Sequence, residues 1–227
     1  MEPHLMIYDS FLPKGPLLDK FADDDLWMDL NTKKTVYVIN KKGHNGGYHY
    51  SYQFWDGKTK PKNHWEEFIK LAWLDTFKIN EEYAGFEYWC NIIGPDDEGL
   101  SWHQDLDEKE LDINNKVVHP MISSVYYGMP HMIEEGLLEI AMLGDEMPEA
   151  RTGKAEYEPM FTAERICPFF NRLIVFNPKR WHRVMPVKKG WRFGFQVNIW
   201  KEQPSWNPLG ITGQKTCEPI PEDSPDF

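Results

Sequence analysis

His103-Gln104-Asp105 and, far downstream, Trp181-His182-Arg183-Val184 followed by Gly190-Trp191-Arg192 carry the residue types for metal chemistry. Two imidazoles and one carboxylate cap one face of an iron ion and leave the opposite face open for a cosubstrate and oxygen. In extended backbone, residues i and i+2 point to the same side, so His103 and Asp105 can meet one ion at the end of a strand. His182 must come from another strand that the fold brings close. Arg192, ten residues past His182, offers a planar and permanently charged fork that matches a carboxylate. The set reads as the site of a non-haem Fe(II) oxygenase. A His-x-Asp triplet alone is weak evidence in a chain with 8 histidines, and the order of the whole set gives it weight.

The elements that position these residues are short strands. Arg172-Leu173-Ile174-Val175-Phe176 is an apolar run bounded by Asn171 and by Asn177-Pro178, a strand signal. Pro186 to Gly190 reads as a turn, and Arg192 to Trp200 alternates cleanly. Phe193, Phe195, Val197 and Ile199 form one face, suited to packing on helices or a second sheet. Arg192, Gly194, Gln196 and Asn198 form the other, a polar row that either faces solvent or lines a pocket, with Arg192 and the bare Gly194 favouring the pocket. The stretch around His182 is expected to fold as a hairpin, with Arg192 at the mouth end of the last strand. Residues 17–30 and 64–78 read as helices. Asn63 can cap the second, with Glu66 three residues on. Thr35 to Ile39 is a strand, and Gly43 to Tyr50 is an aromatic-rich loop that could close over substrate. Leu106 to Pro120 is longer than a usual connection and is a second candidate lid. Its acidic residues could attract a basic substrate.

From about Phe86 to Trp200 the chain resembles the Fe(II)/2-oxoglutarate-dependent dioxygenases, and among them the prolyl-hydroxylase-like branch. The resemblance rests on His103/Asp105, Ser123-Ser124-Val125-Tyr126-Tyr127, Gly136-Leu137-Leu138-Glu139-Ile140, Pro168 to Phe176, His182-Arg183-Val184 and Arg192. Tyr8 to Pro13 is similar to the opening strand and turn of such domains. The resemblance implies an all-β core with flanking helices, a double-stranded β-helix or jelly-roll. It implies Fe(II) held by His103, Asp105 and His182, with 2-oxoglutarate held by Arg192 and Tyr127, and ascorbate as an optional addition. It further implies hydroxylation of a peptide prolyl residue, an amino acid or another small molecule, with O2 consumed and succinate released. Two departures stand out. The branch often has two glycines before the Leu-x-Ile strand, and here they are Glu135-Gly136. A tyrosine is common about ten residues before the first histidine, where this chain has Ile93. Asn91, on the same face, is therefore a candidate for bonding the cosubstrate or a ligand.

At 227 residues the chain is expected to be one domain, with about 1–85 as support, 86–200 as the catalytic core and 201–227 as an extended tail. A net charge of −11 argues against non-specific nucleic-acid binding, which needs a basic footprint. Nucleic-acid or amine demethylation is the weaker alternative of the same chemistry, since the second arginine of the base-repair branch is Asn198 here. A silent jelly-roll sensor of metal or 2-oxoglutarate is the alternative of a different class. No apolar run approaches membrane-spanning length. Cys90, Cys167 and Cys217 are scattered, without zinc spacing or a disulfide framework, and suggest a reducing cytoplasm. Ten tryptophans point to a large aromatic core.

Overall fold

The computed structural model describes residues 5–29, 52–95, 97–130, 132–141 and 163–205. The expected strand at Thr35–Ile39, the loop at Gly43–Tyr50, Cys217 and all but the first residues of the expected tail lie outside these. The described chain forms β1 (Leu5–Asp9), α1 (Pro16–Phe21), α2 (Asp24–Asp29), β2 (Gln53–Trp55), α3 (His64–Ile69) and a π-helix (Lys70–Thr76). Then follow β3 (Gly85–Ile93), β4 (Leu100–His103), α4 (Glu108–Asn114), β5 (Ile122–Tyr127), β6 (Glu134–Glu135) and β7 (Leu138–Ala141). The last strands are β8 (Ala163–Ile166), β9 (Arg172–Phe176), β10 (His182–Val184), β11 (Val187–Lys189) and β12 (Arg192–Trp200).

Two antiparallel sheets make the double-stranded β-helix. The larger has the order β1-β9-β5-β12-β3-β2 and the smaller β4-β10-β7-β8, with β11 and β6 paired at one end. Strand alternation divides the larger sheet's two faces. Its outer face carries Tyr88, Tyr126, Leu173, Val175, Phe195, Val197 and Ile199 into a core shared with the helices. Phe21, Trp27, Trp65 and Phe68 supply the helical side, in edge-to-face contacts such as Phe21–Trp65 at 4.9 Å and Trp27–Trp65 at 5.1 Å. Its inner face meets the smaller sheet through Ile93, Val125, Tyr127, Leu138, Ile140, Ile174 and Val184. This second core is smaller and is interrupted by polar side chains, which are the candidate site.

The helices depart from the expected ones in instructive ways. The helix expected over residues 17–30 is two short helices, broken at Ala22-Asp23. Asn63 caps α3 by accepting the Glu66 N–H at 2.8 Å. The carboxylate of Glu66 turns to the Lys62 N–H at 2.7 Å and the Tyr88 hydroxyl at 3.0 Å, tying helix to sheet. Beyond Ile69 the continuation is a π-helix, closed by the i→i+5 bond from the Phe77 N–H to the Ala72 carbonyl at 2.9 Å. Pro186 to Gly190 is not a plain turn, because Val187–Lys189 pairs with Glu134–Glu135. The Glu135-Gly136 pair explains the two-glycine pattern it departs from. Both residues are left-handed, at φ 65° and 69°, and only the glycine adopts this without steric cost.

Candidate metal and cosubstrate site

Pairing brings the two histidines together. His182 on β10 stands directly opposite His103 on β4, and their ring centroids are 4.2 Å apart. Asp105, just past β4, approaches His182 with Oδ1 at 3.7 Å from Nε2. The ligand atoms of His103, Asp105 and His182 all lie within 4.8 Å of one another. Each ring is oriented by the backbone two residues before it. His103 Nδ1 faces the Ser101 carbonyl at 2.7 Å, and His182 Nδ1 faces the Arg180 carbonyl at 3.0 Å. A proton shared with a carbonyl sits on Nδ1, which leaves Nε2 with the lone pair a metal needs. The Ser123 hydroxyl donates to Asp105 Oδ2 at 2.6 Å. Ser123 was not expected to act here. Its place on the Tyr127 face of β5 was the signal that could have found it.

The electrostatics suit a cation. Burial works to raise the Asp105 carboxyl, yet His182, His103 and the Ser123 hydroxyl hold it down at about 2. Burial, with His182 beside it, pushes His103 down to about 4. Burial acts the same way on His182, but Asp105 and the Arg180 carbonyl outweigh it and hold the ring above the usual 6.5. An incoming divalent ion therefore competes with a proton on His182 and with none on His103. Iron affinity should rise with pH below the His182 pKa, with about one proton released per ion, and level off above it. Titrating Fe(II) anaerobically at several pH values checks this. A release of two protons between roughly pH 5 and 6.5 would place both rings in the protonated state.

Arg192 is wholly buried, not at a mouth, and lies in the sheet opposite His182. β10 and β12 belong to different sheets, so the expected hairpin is a crossing between layers. The guanidinium donates through Nη2 to the Tyr127 hydroxyl at 2.5 Å and through Nε to the Gly136 carbonyl at 3.1 Å. Nη1 is buried and has no partner among the described residues. Because Tyr127 accepts from Arg192, its own hydroxyl hydrogen remains to be donated elsewhere. A buried guanidinium bonded only to neutral groups is costly, and a carboxylate at Nη1 would remove that cost. The backbone leaves room for one. A Cβ on Gly194 would stand 3.2 Å from Arg192 Nη1, 3.3 Å from Val125 Cγ2 and 3.4 Å from Gln196 Nε2. Asn91 lies opposite Gly194 in register, and its buried Oδ1 is also without a partner among the described residues. The residues fit a dicarboxylate whose far end is held by Arg192 and Tyr127. Gly194→Val should therefore weaken 2-oxoglutarate binding at least about tenfold, roughly the 1.4 kcal/mol of one lost contact, with iron binding unchanged. Calorimetry on the anaerobic iron complex measures both, and an unchanged 2-oxoglutarate affinity would move the carboxylate elsewhere.

The candidate lid at Leu106–Pro120 is half helix. Asp107 caps α4 by accepting the Glu110 N–H at 3.1 Å, and also accepts the N–H and hydroxyl of Ser205 at 2.5 and 2.7 Å. Its backbone N–H bonds the Val118 carbonyl at 2.8 Å, closing the base of the loop.

No family model matches the sequence, and no curated protein matches it. Solved structures do. The fold is shared with a Pseudomonas putida prolyl-4-hydroxylase at 13% identity and TM-score 0.51, over 88% of this chain and 93% of that one. It is shared with a Trichoplax adhaerens prolyl hydroxylase, solved with a hypoxia-inducible-factor oxygen degradation domain peptide fragment, at 15% identity and TM-score 0.50, over 92% and 87%. HygX from Streptomyces hygroscopicus, solved with nickel and 2-oxoglutarate, matches at 10% identity and TM-score 0.54, over 89% and 85%. The fold is thus the jelly-roll of the prolyl-hydroxylase-like 2-oxoglutarate oxygenases, as the sequence led one to expect.

Proposed function

We propose that this protein is an Fe(II)- and 2-oxoglutarate-dependent hydroxylase. The observation that carries the reading is the pairing of two features on the inner faces of one sandwich. One is a His103–Asp105–His182 group drawn within 4.8 Å, and the other is a buried Arg192 with an unpartnered Nη1. His103, Asp105 and His182 hold the iron through two imidazole nitrogens and a carboxylate oxygen. Arg192 and the Tyr127 hydroxyl hold the far carboxylate of 2-oxoglutarate, and Asn91 faces the same space across Gly194. When bound, iron and 2-oxoglutarate supply the oxygen activation that hydroxylates a C–H bond, with succinate and carbon dioxide as coproducts.

The chain's own contribution is positioning and charge. Ser123 fixes which oxygen of Asp105 points to the metal, and the Ser101 and Arg180 carbonyls fix both imidazoles. The apolar shell of Ile93, Val125, Ile140, Ile174 and Phe176 keeps water from the clamp. The substrate is a peptide prolyl residue, an amino acid or another small molecule. Among the described residues no helix is long and apolar enough to cross a membrane.

Mixing the anaerobic Fe(II) protein with 2-oxoglutarate and then admitting oxygen tests the reading. Slow succinate release without substrate, lost when iron is chelated, is expected. Tight 2-oxoglutarate binding with no succinate under any candidate substrate would favour the sensor.

A further inference from the structure

We infer that the substrate carries a cationic nitrogen, an ammonium or guanidinium, held by Glu87 and Asn198 on the inner face beside Asp105. This rests on the hydroxylase reading and narrows its substrate class. On β3, alternation turns Phe86, Tyr88, Cys90 and Ile92 to the helix-side core and leaves Glu87, Trp89 and Asn91 facing inward. Glu87 is 4% exposed, and its Oε2 accepts both the Trp200 indole N–H at 2.6 Å and the Asn198 amide at 3.5 Å. Oε1 accepts no bond from a described residue and is not fully buried, which leaves it open to a ligand, and Glu87 has no ion pair among the described residues. The bond to Glu87 orients the Asn198 amide, so its Oδ1 faces away, buried and without a partner among the described residues. Gln196 Oε1, two residues back on the same face, is likewise buried and without a partner among them.

Glu87 and Asn198 sit next to the metal group, whereas Gln196 stands on the clamp side, beside Gly194. Asn198 is opposite Ser123 in register, and Ser123 bonds Asp105. Glu87 is opposite Asn198 on the other side, so a single row runs Glu87–Asn198–Ser123–Asp105 across three strands, about 10 Å wide at the usual strand spacing. The Arg192 guanidinium lies over Gly194, four residues from Asn198 and about 13 Å along the strand, so the far carboxylate of a diacid held there stays clear of Glu87 and Asn198. Acceptors without donors, and a carboxyl without a cation, are costly in a protein interior. A ligand rich in N–H donors and carrying positive charge satisfies all of them. Burial, aided by the negative charges of Asp105 and Asp107, pushes the Glu87 carboxyl up to about 8 against the bonds from Trp200 and Asn198, as expected of an acid lacking its counter-ion. The acidic loop does not fill this role, since Asp107 is spent on α4 and Ser205.

The test uses the full chain with Fe(II) and 2-oxoglutarate under nitrogen, and four probes: butylguanidinium and butylammonium against their neutral counterparts butylurea and butanol. The two cations should bind saturably and at least tenfold more tightly than the neutral pair, and Glu87→Gln should erase the difference. Equal binding of charged and neutral probes to the wild type, or no saturable binding of either cation, overturns the inference without any variant. A cation preference that survives intact in a folded Glu87→Gln protein also overturns it. The same titration reports 2-oxoglutarate binding. If that fails while the cations still bind through Glu87, the hydroxylase reading falls and the cation site stands.

Discussion

An Arg192→Ala protein should bind 2-oxoglutarate at least about thirtyfold more weakly than wild type, while its Fe(II) affinity hardly moves. Removing one partner of a buried, hydrogen-bonded charge pair costs about 2–5 kcal/mol, and each 1.4 kcal/mol is about tenfold. The clamp offers no substitute, because Nη2, Nε and the free Nη1 all belong to the one side chain. Lysine would restore charge but not the fork, so Arg192→Lys should fall between. Tyr127→Phe removes a neutral bond and should cost only about 0.5–1.5 kcal/mol. Calorimetry on the anaerobic iron complex, with a melting curve for each variant, separates lost binding from lost folding. A folded Arg192→Ala protein that binds 2-oxoglutarate like the wild type would remove the cosubstrate and the oxygenase reading with it.

The second large effect is on the metal. His182→Ala should abolish stoichiometric Fe(II) binding, as should His103→Ala, because among the described residues three protein donors are the whole of the group. Ser123→Ala keeps all three but frees Asp105 Oδ2. Loss of such an orienting bond typically costs about 10–100-fold in metal affinity. Equilibrium dialysis with iron analysis reads all three. One iron held with unchanged affinity by His182→Ala would mean that the ion sits elsewhere.

Much of this site could be read before any coordinates. The Arg192–Trp200 alternation placed three polar residues and a glycine on one face, and they do line the interior. His103 and Asp105 were legible because i and i+2 share a side in extended chain. Glu87 was not. All of β3 is buried, so exposure does not mark its inward face, and Trp89 and Ile93 on that face mask the polar pair of Glu87 and Asn91. The partnership of Ser123 with Asp105 is likewise a contact across 18 positions that no local pattern encodes. The hairpin expected around His182 failed for a related reason. Local alternation identifies strands but is silent on which sheet each joins, and the 187–189 segment found its partner in Glu134–Glu135.

Both histidines of the candidate metal group take their orientation from the peptide carbonyl two residues earlier in the chain, Ser101 for one and Arg180 for the other. No side chain supplies that bond, so almost any residue at either position would preserve it. The imidazole tautomers are thus inherited from local backbone geometry, whereas the carboxylate clamp and the acceptor row are spelled out in individual side chains. A lineage built on this scaffold could exchange Glu87, Gln196 or Asn198 for other residues and change what it grips, with its metal chemistry left in working order.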